Sequence, residues 1–167
     1  MTENTTSTAL TIAKPAVLKT KKLILLRHGE SIWNQQKKFT GWSDVALSTK
    51  GEGEAVQAAQ MLEKAGYQFD VCFTSVLQRA IVTAQIVLAV MEQANRPIYQ
   101  NWRLNERHYG ALEDLGRLNA VTKFGVWPIL GCQVQFEAAP PPITAHDIRF
   151  PGNNLNYADI DKSILPL

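Results

Sequence analysis

The sequence is poor in the features that mark secreted, metal-bound, membrane-spanning or nucleic-acid-binding proteins. It holds two cysteines in 167 residues, Cys72 and Cys132. They form no C-x-x-C pair, which leaves no thiol framework for a metal or a disulfide scaffold. Both are expected to be reduced and buried in a cytoplasmic protein. The net charge is only +2, without the strong basic stripe of a general nucleic-acid binder, although a local basic pocket for a small anion stays open. No apolar run approaches the ~18 residues that a membrane helix needs. Residues 1–21 lack both the basic start with a long apolar run of a secretory signal and the arginines of a transit peptide. They are expected to form a flexible tail ahead of one domain over 22–167.

Hydrophobic residues make up 46% of the chain, enough for a packed core. Leu23–Leu26 is a purely aliphatic run, the pattern of a strand buried on both faces. Gly29 to Leu47 reads as a long functional loop with room for a short helix. Ala55, Ala58, Ala59 and Leu62 follow helical spacing, with Ser48 or Thr49 as cap, a Thr49–Glu52 capping box and Gly66 near the end. Val71, Cys72 and Phe73 form a second short buried strand. Ser75 and Gln78 fit another capping box, and Leu77, Ala80, Ile81, Ala84, Leu88 and Met91 continue as a helix. Pro97 to Leu104 is a third strand candidate. Strand, helix, strand, helix, strand predicts an α/β fold with a mainly parallel sheet. After Leu112 the periodicity fades, Pro140 to Pro142 impose an extended segment, and Gly152 to Leu167 reads as polar loop.

Chemistry-bearing residues gather at three strand ends, where open α/β sheets place their ligands. Arg27-His28-Gly29-Glu30-Ser31, with Asn34 beyond, follows the first strand. A neutral imidazole is a competent nucleophile, Gly29 leaves it room, and the Arg27 fork suits phosphate oxygens. Thr74-Ser75 with Arg79 opens a helix, whose N-terminus attracts anions. A cation in that first turn opposes the dipole, and a bound phosphate would explain it. Glu106, with Arg107, His108 and Tyr109, follows the third strand. Partial burial would lift the Glu106 pKa and suit it to general acid–base work. Taken singly, each has an ordinary reading: a histidine bonded to a carbonyl, a solvated arginine, a charged turn. Their convergence points to phosphoryl transfer.

These motifs resemble the 2,3-bisphosphoglycerate-dependent phosphoglycerate mutases of the histidine phosphatase superfamily. LILLRHGESIWN is similar to the family's phosphohistidine motif, FTGWSDVALSTKG (Phe39 to Gly51) to its substrate loop, TSVLQRAIVTA (Thr74 to Ala84) to its second arginine motif and WRLNERHYGAL (Trp102 to Leu112) to its glutamate motif. The resemblance implies a three-layer α/β fold with a mainly parallel sheet. It implies that 2-phosphoglycerate and 3-phosphoglycerate are interconverted in glycolysis and gluconeogenesis, with 2,3-bisphosphoglycerate priming His28 and no metal. Arg27 and Arg79 would spread the charge of the transferring group, and Glu106 would move protons. Gly29, Glu30, Ser31, Asn34, Thr40, Gly41, Arg107, His108, Tyr109 and Arg117 would bind substrate. Partners would be small phosphoglycerates, with nucleic acid and membrane left out and a homo-oligomer allowed.

Past Leu112 the likeness departs. Asp114-Leu115-Gly116-Arg117 stands where the family has G-L-N-K. Cys132, Gln133 and Val134 stand where it has a tryptophan and two substrate arginines. The sequence stops before the family's H-G-N segment and its second catalytic histidine, and His146 matches no catalytic position. The family's next strand lies between those ending at His28 and Ser75, so an incomplete sheet, exposed apolar surface and low stability are expected. A histidine-type phosphatase and an inactive remnant that binds a phosphorylated ligand or a homologue are the alternative readings.

Overall fold

The computed structural model describes residues 20–167, so the expected tail lies almost wholly outside the described residues. Its elements are α1 (Ile32–Gln35), α2 (Thr49–Lys64), β1 (Cys72–Thr74), α3 (Gln78–Val90), β2 (Ile98–Gln100), α4 (Arg117–Phe124) and α5 (Val126–Val134), with single 3-10 turns between and after them.

Capping chemistry fixes the helix starts. Ser31 and Asn34 close a reciprocal box around α1, each side chain accepting from the other's backbone N–H. At α2 the cap is Ser48, whose hydroxyl accepts from Gly51 N, one residue earlier than the Thr49–Glu52 box. The helix stops where Gly66 takes φ +72° and Tyr67 N donates back to Leu62 O, a geometry that glycine adopts without side-chain strain. The Ser75–Gln78 box does not form. Ser75 Oγ accepts from Leu77 N, and the first N–H of α3, from Gln78, goes to Asp44 Oδ1 at 2.7 Å. A loop distant in sequence thus caps α3 and fixes where Arg79 emerges. Arg79, Thr83 and Val87 recur every fourth residue and are buried. Val87, with Met91, packs on Ala59 of α2.

α3 carries the chain from β1 to β2, which pair in parallel, Phe73 opposite Tyr99. The α/β class with a parallel sheet therefore holds. The first strand expected from sequence does not form. Leu23–Leu26 runs outside any strand, with Leu23 and Leu25 82% and 86% exposed. A doubly buried strand needs a hydrogen-bonded neighbour and layers on both faces, and among the described residues only β1 and β2 pair. β1 is less buried than the strand expected over Val71 to Phe73. Phe73 is 64% exposed and its ring stacks on that of Tyr99 at 5.6 Å.

The fading pattern after Leu112 hides two helices. Pro128 sits in the first turn of α5, where a helix leaves its N–H groups unpaired and proline is tolerated. Ala120 of α4 and Ile129 and Cys132 of α5 form a core with Phe39 and Leu112. Both cysteines are free, Cys132 buried and Cys72 half-buried. The last residues are loop-like but anchored. Ile143, Phe150, Tyr157 and Leu165 make a second core against Trp42 and Trp102. These two cores grip the Phe39–Trp42 stretch from either side and place the loop that carries the site.

Exposed apolar side chains at Leu23, Leu25, Phe73 and Tyr99 should bind a hydrophobic dye such as ANS. Phe73→Lys with Tyr99→Lys should lower that fluorescence and reduce light scattering on concentration. A dye-silent monomer with a cooperative melt would contradict this description of the surface.

Candidate active site

Two glycines let the chain approach itself closely at the site. A Cβ on Gly29 would collide with the Gly51 carbonyl, and one on Gly51 with the Glu30 carbonyl. Here the end of the Arg27–Glu30 segment lies flat against the start of α2. Glu30 N donates to Glu54 Oε2, and the Glu30 carboxylate accepts from Ser48 Oγ and Lys50 Nζ. The Lys50 contact first, and then that of Ser48, hold the half-buried Glu30 below its ordinary pKa. Glu30 and Ser31 thus carry structural duties: Ser31 is buried as the α1 cap, and neither lines the cavity described below. Gly29 N donates to Thr83 Oγ1 at 3.2 Å, which ties the segment to α3.

The imidazole of His28 is held through both nitrogens. Nδ1 lies 2.7 Å from the Gly29 carbonyl, an acceptor, so Nδ1 carries the proton. Nε2 then keeps its lone pair, towards which Arg79 Nε donates at 3.4 Å. This is the tautomer that a nucleophile needs. Arg79 itself is 1% exposed. Its other donors reach Ser43 O at 2.9 Å, Gly41 O at 2.6 Å and Glu106 Oε2 at 3.2 Å. A buried guanidinium must be met in this way, because an unpaired charge away from water is costly.

Glu106 Oε2 also lies 3.9 Å from His28 Nε2. Burial alone pushes this carboxyl up. The His28 ring and the Arg79 charge outweigh burial, and the net direction is down. The lift expected from partial burial is therefore corrected: the Arg79 cation beside it keeps Glu106 a carboxylate, and a proton on the His28 ring would add to that pull. Trp42 Nε1 donates to the Glu106 carbonyl at 2.7 Å, fixing the backbone from which the carboxylate reaches.

A cavity of about 170 Å³ is lined by Arg27, Asn34, Lys38, Thr40, Glu106 and Arg117, with Phe39, Tyr109 and Gln133 completing the wall. His28 is not among the lining residues, and meets the cavity through Glu106. Three cations against one carboxylate suit an anionic ligand, although Lys38 is also paired with Asp114 at 2.8 Å. The Thr40 hydroxyl is buried without a partner, an unmet polar atom on the wall. Two expected substrate contacts face elsewhere. Arg107 donates to the carbonyls of Cys132, Gln135 and Ala138, closing the C-terminal end of α5. His108 is buried beneath Trp42, with ring centroids 5.7 Å apart. Its Nδ1 accepts from Gly110 N, and burial holds its pKa low against the pull of Glu113.

Sequence reasoning missed Thr83, Asp44 and Glu113. Thr83 lies four residues after Arg79 on one helix face, a spacing visible in the sequence. Glu113 carried no such signal. It is 1% exposed and gathers the loop around Gly41. Among the described residues no group of His, Cys, Asp and Glu is arranged to hold a metal, and no helix is long and apolar enough to cross a membrane.

A family model described as the histidine phosphatase superfamily (branch 1) matches residues 23–146. The chain is 51% identical over 146 residues to 2,3-bisphosphoglycerate-dependent phosphoglycerate mutase 1 of Nitrosomonas europaea, covering 87% of this chain and 62% of that protein. It is 46% identical over 150 residues to a 2,3-bisphosphoglycerate-dependent phosphoglycerate mutase of Buchnera aphidicola, covering 90% and 65%. The solved phosphoglycerate mutase from Bacillus anthracis is similar at 30% identity and a TM-score of 0.52, over 63% of this chain and 43% of that one. The chain spans about 60% of the length of the curated relatives it matches.

Arg149 links the site to the C-terminal core, donating to the Glu113 carbonyl at 2.8 Å and to Asp147 at 2.6 Å. The arginine lowers the Asp147 carboxyl from 3.8 to about 2. A depressed carboxyl stabilises the fold above its unfolded value and loses that contribution as pH falls through its folded one. Asp147→Asn should therefore cost ~1 kcal/mol at neutral pH, as expected of a half-buried pair. In urea titrations the difference should narrow below pH 3.8 and close near pH 2. A difference that stays constant across that window would count against the ion pair.

Proposed function

The chain belongs to the histidine phosphatase superfamily, and from that premise we propose that it transfers phosphoryl groups through His28, in the manner of a phosphoglycerate mutase acting on 2- and 3-phosphoglycerate. The observation that carries this reading is the His28 tautomer: Nδ1 engaged by the Gly29 carbonyl, and Nε2 left unprotonated with its lone pair facing the Arg79 guanidinium. The cytoplasm is the proposed setting, which the two free thiols suit.

The residues present fit 2,3-bisphosphoglycerate, which is a polyanion. Arg27, Lys38 and Arg117 line the cavity, and the unpartnered Thr40 hydroxyl can donate to a phosphate or carboxylate oxygen. When bound, the bisphosphate would supply the phosphoryl group that primes His28. His28 Nε2 would bond to phosphorus with its lone pair as the phosphorus–oxygen bond breaks, and the departing oxygen would take a proton from Glu106 in its protonated form. Arg79, already oriented by the Gly41 and Ser43 carbonyls, would shift its Nε donor from His28 Nε2 to the phosphoryl oxygens and meet the charge that builds there. Glu106 rests ionised, so it is placed to take a proton from a substrate hydroxyl whose oxygen bonds to the phosphorus on His28 as the phosphorus–nitrogen bond breaks. A bound anion beside it raises its proton affinity and suits it to return that proton to a leaving oxygen.

A phosphatase reading is favoured by one specific observation. Gln133 lines the cavity and Val134 is 74% exposed where the resemblance calls for two arginines, and Arg107 is engaged by α5. Fewer charges then hold a phosphoglycerate, and water can compete for the phosphorylated ring.

Incubation with 2,3-bisphosphoglycerate followed by intact-mass analysis should show one acid-labile phosphate, absent in His28→Asn. Arg79→Ala should slow labelling by ~10²–10³-fold, the cost of removing one charge-stabilising donor. Exchange between phosphoglycerate isomers marks a mutase, and release of inorganic phosphate without exchange marks a phosphatase. Folded chain that never takes up phosphate at His28 overturns both.

A further inference from the structure

Glu113 lies outside the motifs that brought the site together, yet it is among the most deeply buried side chains. A carboxylate in such a place is expensive unless hydrogen bonds surround it. Here its oxygens accept from Trp42 N at 3.0 Å, Ser43 N at 3.1 Å, Ser43 Oγ at 2.7 Å and Tyr109 N at 3.2 Å. His108 Nε2 lies 3.5 Å away. Its nitrogen has no hydrogen-bond partner.

The direction of those bonds matters more than their number. Gly41 C=O and Trp42 N–H belong to one peptide unit. Its N–H points at the Glu113 carboxylate and its C=O accepts from Arg79 Nη2 at 2.6 Å. A peptide dipole thus lies between an anion and a cation, each end facing the charge that suits it. The next residue also joins the two charges, through two successive peptide units: Ser43 N–H donates to Glu113 and Ser43 C=O accepts from Arg79 Nη1. Gly41 makes this path feasible. Its φ is +56°, and a Cβ there would strike Glu113 Oε1. Flipping the 41–42 peptide would turn its N–H towards the guanidinium and its carbonyl towards the carboxylate, unfavourable at both ends.

We propose that Glu113 is a positioning residue for the phosphoryl-transfer site: it locks the 41–43 loop so that two carbonyls orient Arg79 and keep Arg79 Nε on His28 Nε2. It touches no reacting atom. Its effect passes through the loop to the guanidinium, and from there to the imidazole tautomer. The inference rests on the proposed role of His28, and its test has a readout that does not depend on turnover.

The chain labelled with ¹⁵N-histidine is compared with Glu113→Gln, Glu113→Ala and, as a core control, Leu112→Val, with His28 assigned by the signals lost in His28→Asn. Wild-type His28 should show a protonated Nδ1 and an unprotonated Nε2. Glu113→Ala should weaken this preference, because the Gly29 carbonyl still holds Nδ1–H while Arg79 Nε is no longer kept on Nε2. Glu113→Gln, which keeps an acceptor oxygen, should retain more of it, and Leu112→Val should keep it. The rate of labelling by 2,3-bisphosphoglycerate should fall ~10²-fold in Glu113→Ala, as misplacing a catalytic group by about 1 Å does, and by ~10-fold in Glu113→Gln, with smaller changes in half-saturating donor. Should Glu113→Ala fail to fold, Glu113→Gln decides. Folded variants with wild-type His28 spectra and wild-type rates overturn the proposal. If wild-type protein takes no label, the phosphoryl-transfer reading falls, while the imidazole spectra still decide what Glu113 does.

Discussion

A guanidinium removed from water must have its N–H groups met by acceptors fixed beforehand, and Arg79 imposes that constraint on the whole site. Two carbonyls, a carboxylate and an imidazole surround it. They come from three separate stretches of chain: the 41–43 loop, Glu106 and His28. The loop can supply carbonyls only because its N–H groups are engaged by Glu113, and α3 can present the arginine there only because Asp44 caps its first turn. The fold is thus organised around satisfying one buried cation, and the chemistry proposed for it uses the same oriented charge.

Three motifs were legible in the sequence because each is local. His28 follows an aliphatic run, Arg79 opens a helix, and Glu106 sits in a compact charged turn. The structure brings those three side chains within 4 Å of one another. The sign of the Glu106 shift was not legible, since burial and neighbouring charge oppose each other and only geometry decides which prevails. Arg107 and His108, adjacent to Glu106 in sequence, diverge in space, one to the end of α5 and the other beneath Trp42.

The fold was legible where a period persists, as along α2 and α3, and illegible where pairing is non-local. An aliphatic tetrapeptide such as Leu23–Leu26 announces a strand, but a strand exists only against a partner, and none is present among the described residues. α5 was hidden by Pro128 and Gly131, which read as breakers unless the helix is known to begin at Val126. Glu113 left no trace at all. A lone carboxylate in an exposed-looking turn has no periodic companions, and its importance arises from loops that meet it only after folding.

The carbonyl of Gly29 has a regiochemical consequence for the imidazole beside it. By holding the proton on Nδ1 it withdraws the pros nitrogen from reaction and leaves the tele nitrogen alone with an available lone pair. Any electrophile admitted to this ring, whether a natural donor or a synthetic acylating reagent, is steered to a single isomer of the adduct. The chain chooses between two chemically similar atoms with one main-chain oxygen.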